Sequence, residues 1–187
     1  MLSVIIATHD DERGLLSTLA ALVPGATAGL VREVIVADAG NAATAQIADI
    51  AGCRLVAAAG MRGARLRRAA DAARSQWLLF LKPGLVPEVI WIDEILQFIE
   101  QAEIGGRAGR EAAVFRPRSA GSLGSDALAL LRRAFGARPD GGLLVAKPLY
   151  GELSGHAEQA SDPERDLVRR LGRRRVVLLR CGATAAL

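Results

Sequence analysis

The first forty residues constrain the fold most, because they alternate apolar runs with polar loops. Leu2–Ala7 is a β-branched run that leads directly into the polar segment 8–12, and a helical stretch follows to about Leu22. A second strand, Glu33–Ala37, then ends at Asp38. Two parallel strands joined by a helix end at the same edge of a sheet, where open α/β folds bind ligands. We therefore expect an α/β fold with its functional residues at this edge.

The alternation continues through the first hundred residues. Further strands are predicted at 53–57 and 77–81, and further helices at 45–50, 64–75 and 87–101. Residues 77–81 are apolar throughout, as in a strand that is buried on both faces, and Lys82-Pro83-Gly84 ends that strand in a turn. Four strands that alternate with helices predict a mostly parallel central sheet flanked by helices, a Rossmann-like arrangement.

The second half of the chain is less regular. Strands are predicted at 112–116, 142–146 and 175–179, helices at 126–135 and 163–171, and a mobile glycine-rich connection at 117–125. No linker divides the 187 residues, and this length is sufficient for one well-buried core. We expect a single domain.

Composition excludes several classes of protein. Hydrophobic residues make up 51% and charged residues 24%, which is a globular rather than a disordered balance. Aromatic residues make up only 4%, which argues against single-stranded nucleic acid as a partner. No apolar run reaches the roughly 20 residues that span a bilayer, and the N-terminal segment lacks the pattern of a signal peptide. We expect a cytoplasmic protein, and peripheral membrane contact stays open.

The two cysteines, Cys53 and Cys181, match neither a metal-ligand spacing nor a disulfide framework. Each lies in or beside a predicted strand, so we expect both to be small buried hydrophobic residues.

Polar residues at the ends of the first two strands are candidates for nucleotide binding. Thr8, Asp10 and Asp38 could hydrogen-bond to a base and a ribose at the sheet edge. The plain alternative is that Thr8 and Asp10 cap the first helix and that Asp38 starts a turn. His9 lies in the same loop and is more simply a loop histidine than a ligand.

Arginines near the start of the third predicted helix are candidates for phosphate binding. Arg62, Arg65 and Arg68 are three residues apart, so one helix face could present their guanidinium groups to phosphates. The alternative is a solvated helix face, which applies to Arg67, Arg68 and Arg74. Arg62, in the loop 60–63, is the best phosphate candidate.

The order of these motifs resembles glycosyltransferase family 2, the nucleotide-sugar-dependent transferases of GT-A fold, and its small bacterial members in particular. The resemblance covers about residues 2–180 and depends on six segments in the family's order: 2–12, 33–40, 60–63, 77–81, 139–145 and 162–171. It implies a nucleotide-sugar-binding half at 1–104 and an acceptor-side half at 105–187.

The resemblance also implies catalytic roles for acidic residues. The segment 162–171 is similar to the helix that supplies the family's catalytic base, so Glu164 is the first candidate, with Asp162 and Asp166 close by. Asp140 lies where relatives contact the acceptor. The plain alternatives are a helix N-cap for Asp162, a favourable charge in the first helical turn for Asp166 and a turn for Asp140.

One motif departs from the family pattern. The family's strand at 77–81 leads into an Asp-x-Asp triplet that holds Mg²⁺ or Mn²⁺ against the diphosphate, whereas this chain has Lys82-Pro83-Gly84. No metal ligand can therefore be assigned. The Lys82 ammonium could neutralise the phosphates in place of a metal ion, or Lys82 could be an ordinary turn residue.

The resemblance implies transfer of a sugar from a nucleotide diphosphate sugar, expected to be a UDP-sugar, to a hydroxyl acceptor with inversion. Two rivals stay open at this stage. The missing acidic triplet favours a non-catalytic nucleotide-sugar-binding or scaffold protein. A nucleotidyltransferase of similar topology normally has a glycine-rich basic loop after its first strand, where this chain has the acidic segment 8–12. The sequence identifies neither the sugar, the acceptor nor the oligomeric state.

Overall fold

One sheet of eight strands runs through the part of the chain that the computed structural model describes, residues 1–117 and 141–186. Its strands are β1 (Leu2–Ala7), β2 (Val31–Asp38), β3 (Arg54–Ala57), β4 (Trp77–Leu81), β5 (Leu85–Pro87), β6 (Ala112–Pro117), β7 (Leu143–Ala146) and β8 (Val176–Ala185). The described helices are α1 (Glu12–Thr27), α2 (Ala42–Ile50), α3 (Arg62–Ala72), α4 (Trp91–Ile104), α5 (Lys147–Glu152) and α6 (Pro163–Leu171), with a 3-10 turn at Arg173–Arg175. The α/β class is confirmed.

The sheet is mixed, so the prediction of a mostly parallel sheet was wrong. The strand order is β3-β2-β1-β4-β7-β6-β8-β5. The pairs β1–β2, β1–β4, β2–β3 and β6–β8 are parallel, whereas β4–β7, β6–β7 and β5–β8 are antiparallel. A fully buried strand such as β7 has the same apolar pattern in either direction. The sequence pattern therefore predicted the strand but not its orientation.

Several predicted bounds were right, and the largest error lies at the end of α1. Strands β1 and β4 and helix α6 begin and end where the sequence predicted. Helix α1 was expected to stop near Leu22, before Pro24 and Gly25, but it continues to Thr27. A Cβ atom on Gly25 would lie 2.5 Å from the Trp91 ring, so this last turn packs closely against α4. Tertiary packing outweighs the local cost of the proline.

Two short elements were missed. Strand β5 pairs with the end of β8, and α5 follows β7 directly. The predicted helix 126–135, the connection 118–125 and Asp140 lie outside the described residues.

The core is built on the apolar strands that the sequence identified. Every residue of β1 and β4 is buried, and helices pack on the sheet through their apolar faces. Cys181 is buried as predicted, whereas Cys53 is only half-buried, and both thiols are free. Burial raises the pKa of Cys53, and it raises the pKa of Cys181 to about 12. Neither thiol is therefore a ready nucleophile.

The parallel pairing of β1, β2 and β4 determines where a site can form. Because these strands run in one direction, the loops that follow them, 8–11, 39–41 and 82–84, meet at one edge of the sheet. The start of α6 reaches the same edge, where Arg62 contacts both Glu164 and the Ala7 carbonyl.

Candidate functional site

A buried ion pair between Arg62 and Glu164 lies at the centre of this edge. The Nε and Nη2 atoms of Arg62 donate to Oε1 of Glu164 at 3.0 and 2.6 Å, and Nη1 donates to the carbonyl of Ala7 at 2.7 Å. The two side chains are 27% and 5% exposed. Arg62 thus ties the start of α3 to the end of β1 and to α6. The sequence predicted a separate role for each partner, and the structure brings the two together.

The start of α6 presents Glu164 to the site. Asp162 caps the helix by accepting a hydrogen bond from the Arg165 amide at 3.1 Å, and Pro163 occupies the first turn, where its missing N–H costs nothing. Glu164 follows on the inward face and is 3% exposed. The helix N-terminus favours a negative charge at this position.

A close approach of two backbone segments brings α3 near α6. A Cβ atom on Gly63 would lie 2.1 Å from the carbonyl oxygen of Ala157. Gly63 was predicted to belong to a flexible loop, yet it lies in the first turn of α3. The missing side chain allows α3 to approach the segment that leads into α6, and this approach places Arg62 beside Glu164.

The carboxyl group of Glu164 is held in its ionised form. Burial raises the pKa of Glu164, but the charge and the hydrogen bonds of Arg62 outweigh burial, so that the pKa lies below its ordinary value. Oε2 of Glu164 is also buried, and it has no hydrogen-bond partner in the described part of the chain. One carboxylate oxygen is therefore occupied by Arg62, and the other keeps unused accepting capacity.

A cleft of about 310 Å³ opens beside this pair. Its described lining consists of Arg62, Lys82 and the segment 161–164. Lys82 comes directly after β4, in a turn closed by its own carbonyl, which accepts from the Leu85 amide at 3.2 Å. Four predicted site residues, Arg62, Lys82, Asp162 and Glu164, therefore share one cleft that contains two cations and two carboxylates.

Two of the three predicted nucleotide-side residues, Asp10 and Asp38, are linked through Asn41. Oδ2 of Asp38 accepts from the amides of Gly40 and Asn41 at 2.7 and 2.5 Å, which is the turn role weighed as its alternative. The Asn41 side chain caps α2 and donates to Asp10 at 2.8 Å. Thr8 is buried, and its Oγ1 has no partner among the described residues.

The capping alternative for the first loop was wrong. Asp11, rather than Thr8 or Asp10, caps α1, and its Oδ1 accepts from the Gly14 amide at 3.0 Å. Asp10 is exposed in a left-handed backbone conformation with φ of 51°, which is uncommon outside glycine. Helix capping therefore does not account for either residue.

The three spaced arginines do not form one phosphate-binding face. Arg65 is buried and donates to the Gly60 carbonyl at 2.8 Å. Arg68 is exposed, as its alternative predicted. Only Arg62 of these three lines the cleft.

Asp166 has a structural role that accounts for its charge. Its carboxylate accepts from Arg169 and Arg170, each at 2.8 Å, and Arg170 also donates to the carbonyls of Leu153 and Gly155. Burial raises the pKa of Asp166, but these hydrogen bonds lower it further, so that the net pKa is below its ordinary value. Asp166 thus anchors α6 to the preceding loop.

His156 is a buried polar residue that the sequence analysis missed. Its ring lies edge-on to Phe80 with centroids 4.6 Å apart, and Nδ1 lies 2.9 Å from the Tyr150 hydroxyl. Nε2 is buried without a partner among the described residues. Burial lowers the pKa of His156 to about 4, so the ring is neutral. The sequence around His156 does not predict its burial, because the residues that bury it belong to β4 and α5.

The described residues do not fit a divalent cation. Residues 1–117 and 141–186 contain no group of three His, Cys, Asp or Glu side chains that could hold a metal ion. Where the family's acidic triplet would stand, the sequence has Lys82-Pro83-Gly84. An ammonium group repels a metal ion rather than binding it, so we derive no step through Mg²⁺ or Mn²⁺.

Among the described helices, none combines the length and the apolar character needed to cross a bilayer.

Comparison with solved structures identifies the fold, whereas no protein-family model and no curated protein matches the sequence. S. aureus TarS 1-349 superimposes with a TM-score of 0.74 at 15% identity, over 99% of this chain and 60% of that one. The same TarS fragment in complex with UDP-GlcNAc gives 0.73 at 16% identity, over 100% and 58%. Glucosyl-3-phosphoglycerate synthase from Mycobacterium tuberculosis, in complex with Mn²⁺ and UDP-glucose, gives 0.67 at 20% identity, over 95% and 68%.

These likenesses confirm the predicted GT-A-like fold. The chain spans 60% of the TarS fragment and 68% of the synthase. At these identities the likeness extends to the fold alone.

Proposed function

We propose that this chain is a family 2 glycosyltransferase that transfers a sugar from a UDP-sugar to a hydroxyl acceptor with inversion. The observation that carries this proposal is the cleft at the sheet edge, where an ionised buried carboxylate, Glu164, lies beside two cations, Arg62 and Lys82. An acid-base group and charge for a diphosphate are the two features that such a reaction needs. The fold is also one whose solved members hold UDP-sugars.

In the proposed reaction Glu164 is the general base. It takes the proton of the acceptor hydroxyl while the hydroxyl oxygen forms a bond to the anomeric carbon of the sugar. The bond between that carbon and the diphosphate oxygen breaks, and the nucleoside diphosphate leaves with the electron pair. Arg62 and Lys82 offset the negative charge that develops on the leaving diphosphate. Asp162 keeps the role of helix cap that the structure gives it.

The nucleotide lies, in this proposal, between the cleft and the loops that follow β1 and β2. Thr8 and Asp10 have hydrogen-bonding groups that helix capping does not use. Asp38 stabilises the loop around them through its two amide contacts. Residues 1–104 then supply the nucleotide side and 105–187 the acceptor side, with Asp140 as a predicted acceptor contact. The cytoplasmic location likewise stays a prediction.

The non-catalytic alternative was suggested by the missing acidic triplet. It is weakened by Glu164, because a protein that only binds nucleotide sugar has no need of an ionised carboxylate buried beside the phosphate-binding cations. Donor binding by the wild type without any sugar transfer would support it.

Lys82 in place of a metal ion makes donor binding independent of added cations. We expect calorimetric titration of UDP-glucose and UDP-GlcNAc to give, for the donor that binds, the same affinity in EDTA and in Mn²⁺. Lys82→Ala should weaken binding about 10-fold or more, because it removes one charge-assisted contact to phosphate. The matched control is Arg68→Ala, an exposed cation outside the cleft, which should leave binding unchanged.

Affinity that depends on Mn²⁺ would overturn the role of Lys82. Failure of both UDP-sugars to bind in either buffer would overturn the choice of UDP-sugar donors, and with it the proposed function as stated.

A further inference from the structure

The ion pair between Arg62 and Glu164 places two residues with different proposed roles in contact. In the described structure, Arg62 donates two hydrogen bonds to the base and one to the Ala7 carbonyl. A carboxylate held in this way is a weak base, because the neighbouring guanidinium stabilises its charged form. Transfer therefore requires a change at this pair.

Buried polar atoms without a partner among the described residues occur in Glu164 itself and in two residues close to the pair. They are Thr8 Oγ1, Glu164 Oε2 and His156 Nε2. Thr8 directly follows Ala7, whose carbonyl accepts from Arg62, and His156 lies close enough to the pair for both charges to affect its pKa. Buried polar atoms without partners are uncommon and need an explanation. A polar ligand bound beside Arg62 would supply partners for such atoms.

The two partners differ in their freedom to move. Glu164 is held in the first turn of α6, between the Asp162 cap and the rest of the helix, and its side chain is 5% exposed. The Arg62 side chain is 27% exposed and lines the cleft. A diphosphate in the cleft carries more charge than one carboxylate and accepts the same forked hydrogen bonds. Arg62 is therefore the partner that can exchange one anion for the other.

We propose that Arg62 couples donor binding to base activation: the diphosphate draws Arg62 away from Glu164, which becomes available to the acceptor only after the donor is bound. This inference rests on the proposed function and concerns the regulation of that same site. While the donor is absent, the contact with Arg62 keeps Glu164 from accepting a proton from other groups.

The charged and titratable groups around Glu164 determine how its ionisation should respond. Arg62 on α3 and His156 before α6 act electrostatically on Glu164, and Arg170 and Asp166 on α6 act on His156. Lys82 and Asp162 line the same cleft as Glu164. Burial raises the pKa of Glu164, and the charge and hydrogen bonds of Arg62 are the largest causes that lower it. Withdrawal of Arg62 leaves burial as the main influence, and burial raises the pKa of a carboxyl group.

The test measures the ionisation of Glu164 directly. Protein labelled with ¹³C at the glutamate carboxyl carbons is titrated with acid, alone and saturated with UDP-glucose or UDP-GlcNAc, and the Glu164 signal is assigned by its loss in Glu164→Gln. We expect the midpoint to rise by one pH unit or more when the donor is bound. In Arg62→Gln the titration midpoint of Glu164 should already be raised in the absence of donor. Saturation with donor should then change this midpoint only slightly.

Two further variants sharpen this test. Arg62→Lys keeps the positive charge and replaces Arg62→Gln in the test if the glutamine variant does not fold. A single ammonium group cannot donate the forked pair of hydrogen bonds that the guanidinium donates. The Glu164 midpoint in Arg62→Lys should therefore lie between the midpoints in wild type and in Arg62→Gln. Arg67→Gln is the matched control, because it removes an exposed arginine that pairs with Glu158 at 3.6 Å on the neighbouring surface. It should leave the Glu164 midpoint and its response to donor unchanged.

The outcomes separate this inference from the proposed function. If calorimetry shows donor binding while the Glu164 midpoint stays constant, Arg62 does not couple the two events, and the proposed function is unaffected. If Arg62→Gln leaves the donor-free midpoint unchanged, the inference also fails. If neither UDP-sugar binds to wild type, the proposed function fails and takes the inference with it.

Discussion

Glu164→Gln is expected to reduce sugar transfer at least about 100-fold, because general acid-base catalysis contributes roughly 10²- to 10⁴-fold. The amide has nearly the same shape as the carboxylate and can still accept a hydrogen bond from Arg62, but it cannot take a proton from the acceptor. Donor affinity should be equal to wild type or higher, since Arg62 no longer has a competing charged partner. Release of nucleotide diphosphate during transfer and calorimetric donor binding measure the two quantities separately.

The matched control for this variant is Glu158→Gln. Glu158 lies in the segment before α6 but is exposed, with a side chain that is 60% accessible and paired with Arg67. Its replacement should leave both transfer and binding unchanged. Transfer at the wild-type rate by Glu164→Gln would contradict the assignment of the base. Binding of donor without transfer by the wild type would favour the non-catalytic alternative.

Acid is expected to destabilise the protein through His156 over the range from pH 6.5 down to about pH 4. The buried ring has a pKa of about 4 in the folded protein, whereas an exposed histidine titrates near 6.5. Between these values the unfolded chain binds a proton that the folded chain does not, so stability falls as the pH falls. The full difference is about 3 kcal/mol in the free energy of unfolding. Urea denaturation at a series of pH values measures it.

Two variants isolate the contribution of His156. His156→Phe keeps an aromatic ring against Phe80 and removes the titratable imidazole. The free energy of unfolding should therefore depend less steeply on pH between 6.5 and 4.5, whatever its value at neutral pH. His9→Gln removes the other histidine, which is exposed, and should leave the slope as it is in wild type. The lowered pKa values of Glu33, Glu164 and Asp166 affect stability mainly below pH 4.5. If the pH dependence of the free energy of unfolding is the same in His156→Phe as in wild type, the claim that His156 is buried in its neutral form is wrong.

Local sequence patterns predicted the elements that depend on local interactions. The bounds of β1, β4 and α6 were all predicted correctly. Each strand is a continuous apolar run that ends at polar or turn residues, and Asp162-Pro163 marks the start of the helix. Strand β5 has three residues and depends on pairing with β8, almost a hundred residues away. The orientation of β7 likewise depends on its partners β4 and β6. A short stretch of sequence therefore reveals neither the presence of β5 nor the orientation of β7.

The candidate site could be predicted as a set of residues but not as an arrangement. Arg62, Lys82 and Glu164 were each identified, from a glycine loop, a strand end and a helix start. The contact between Arg62 and Glu164 joins positions 102 residues apart, and it depends on the close approach at Gly63. His156 was missed because its burial is created by Phe80 and Tyr150 after folding.

The most direct test of the whole account is a crystal structure of the wild-type protein with a bound UDP-sugar. We predict that the diphosphate lies within hydrogen-bonding distance of Arg62 and Lys82, with the anomeric carbon on the Glu164 side of the cleft and the nucleoside towards Thr8 and Asp10. A nucleotide bound elsewhere on the molecule, with this cleft closed by its own side chains, would contradict the account.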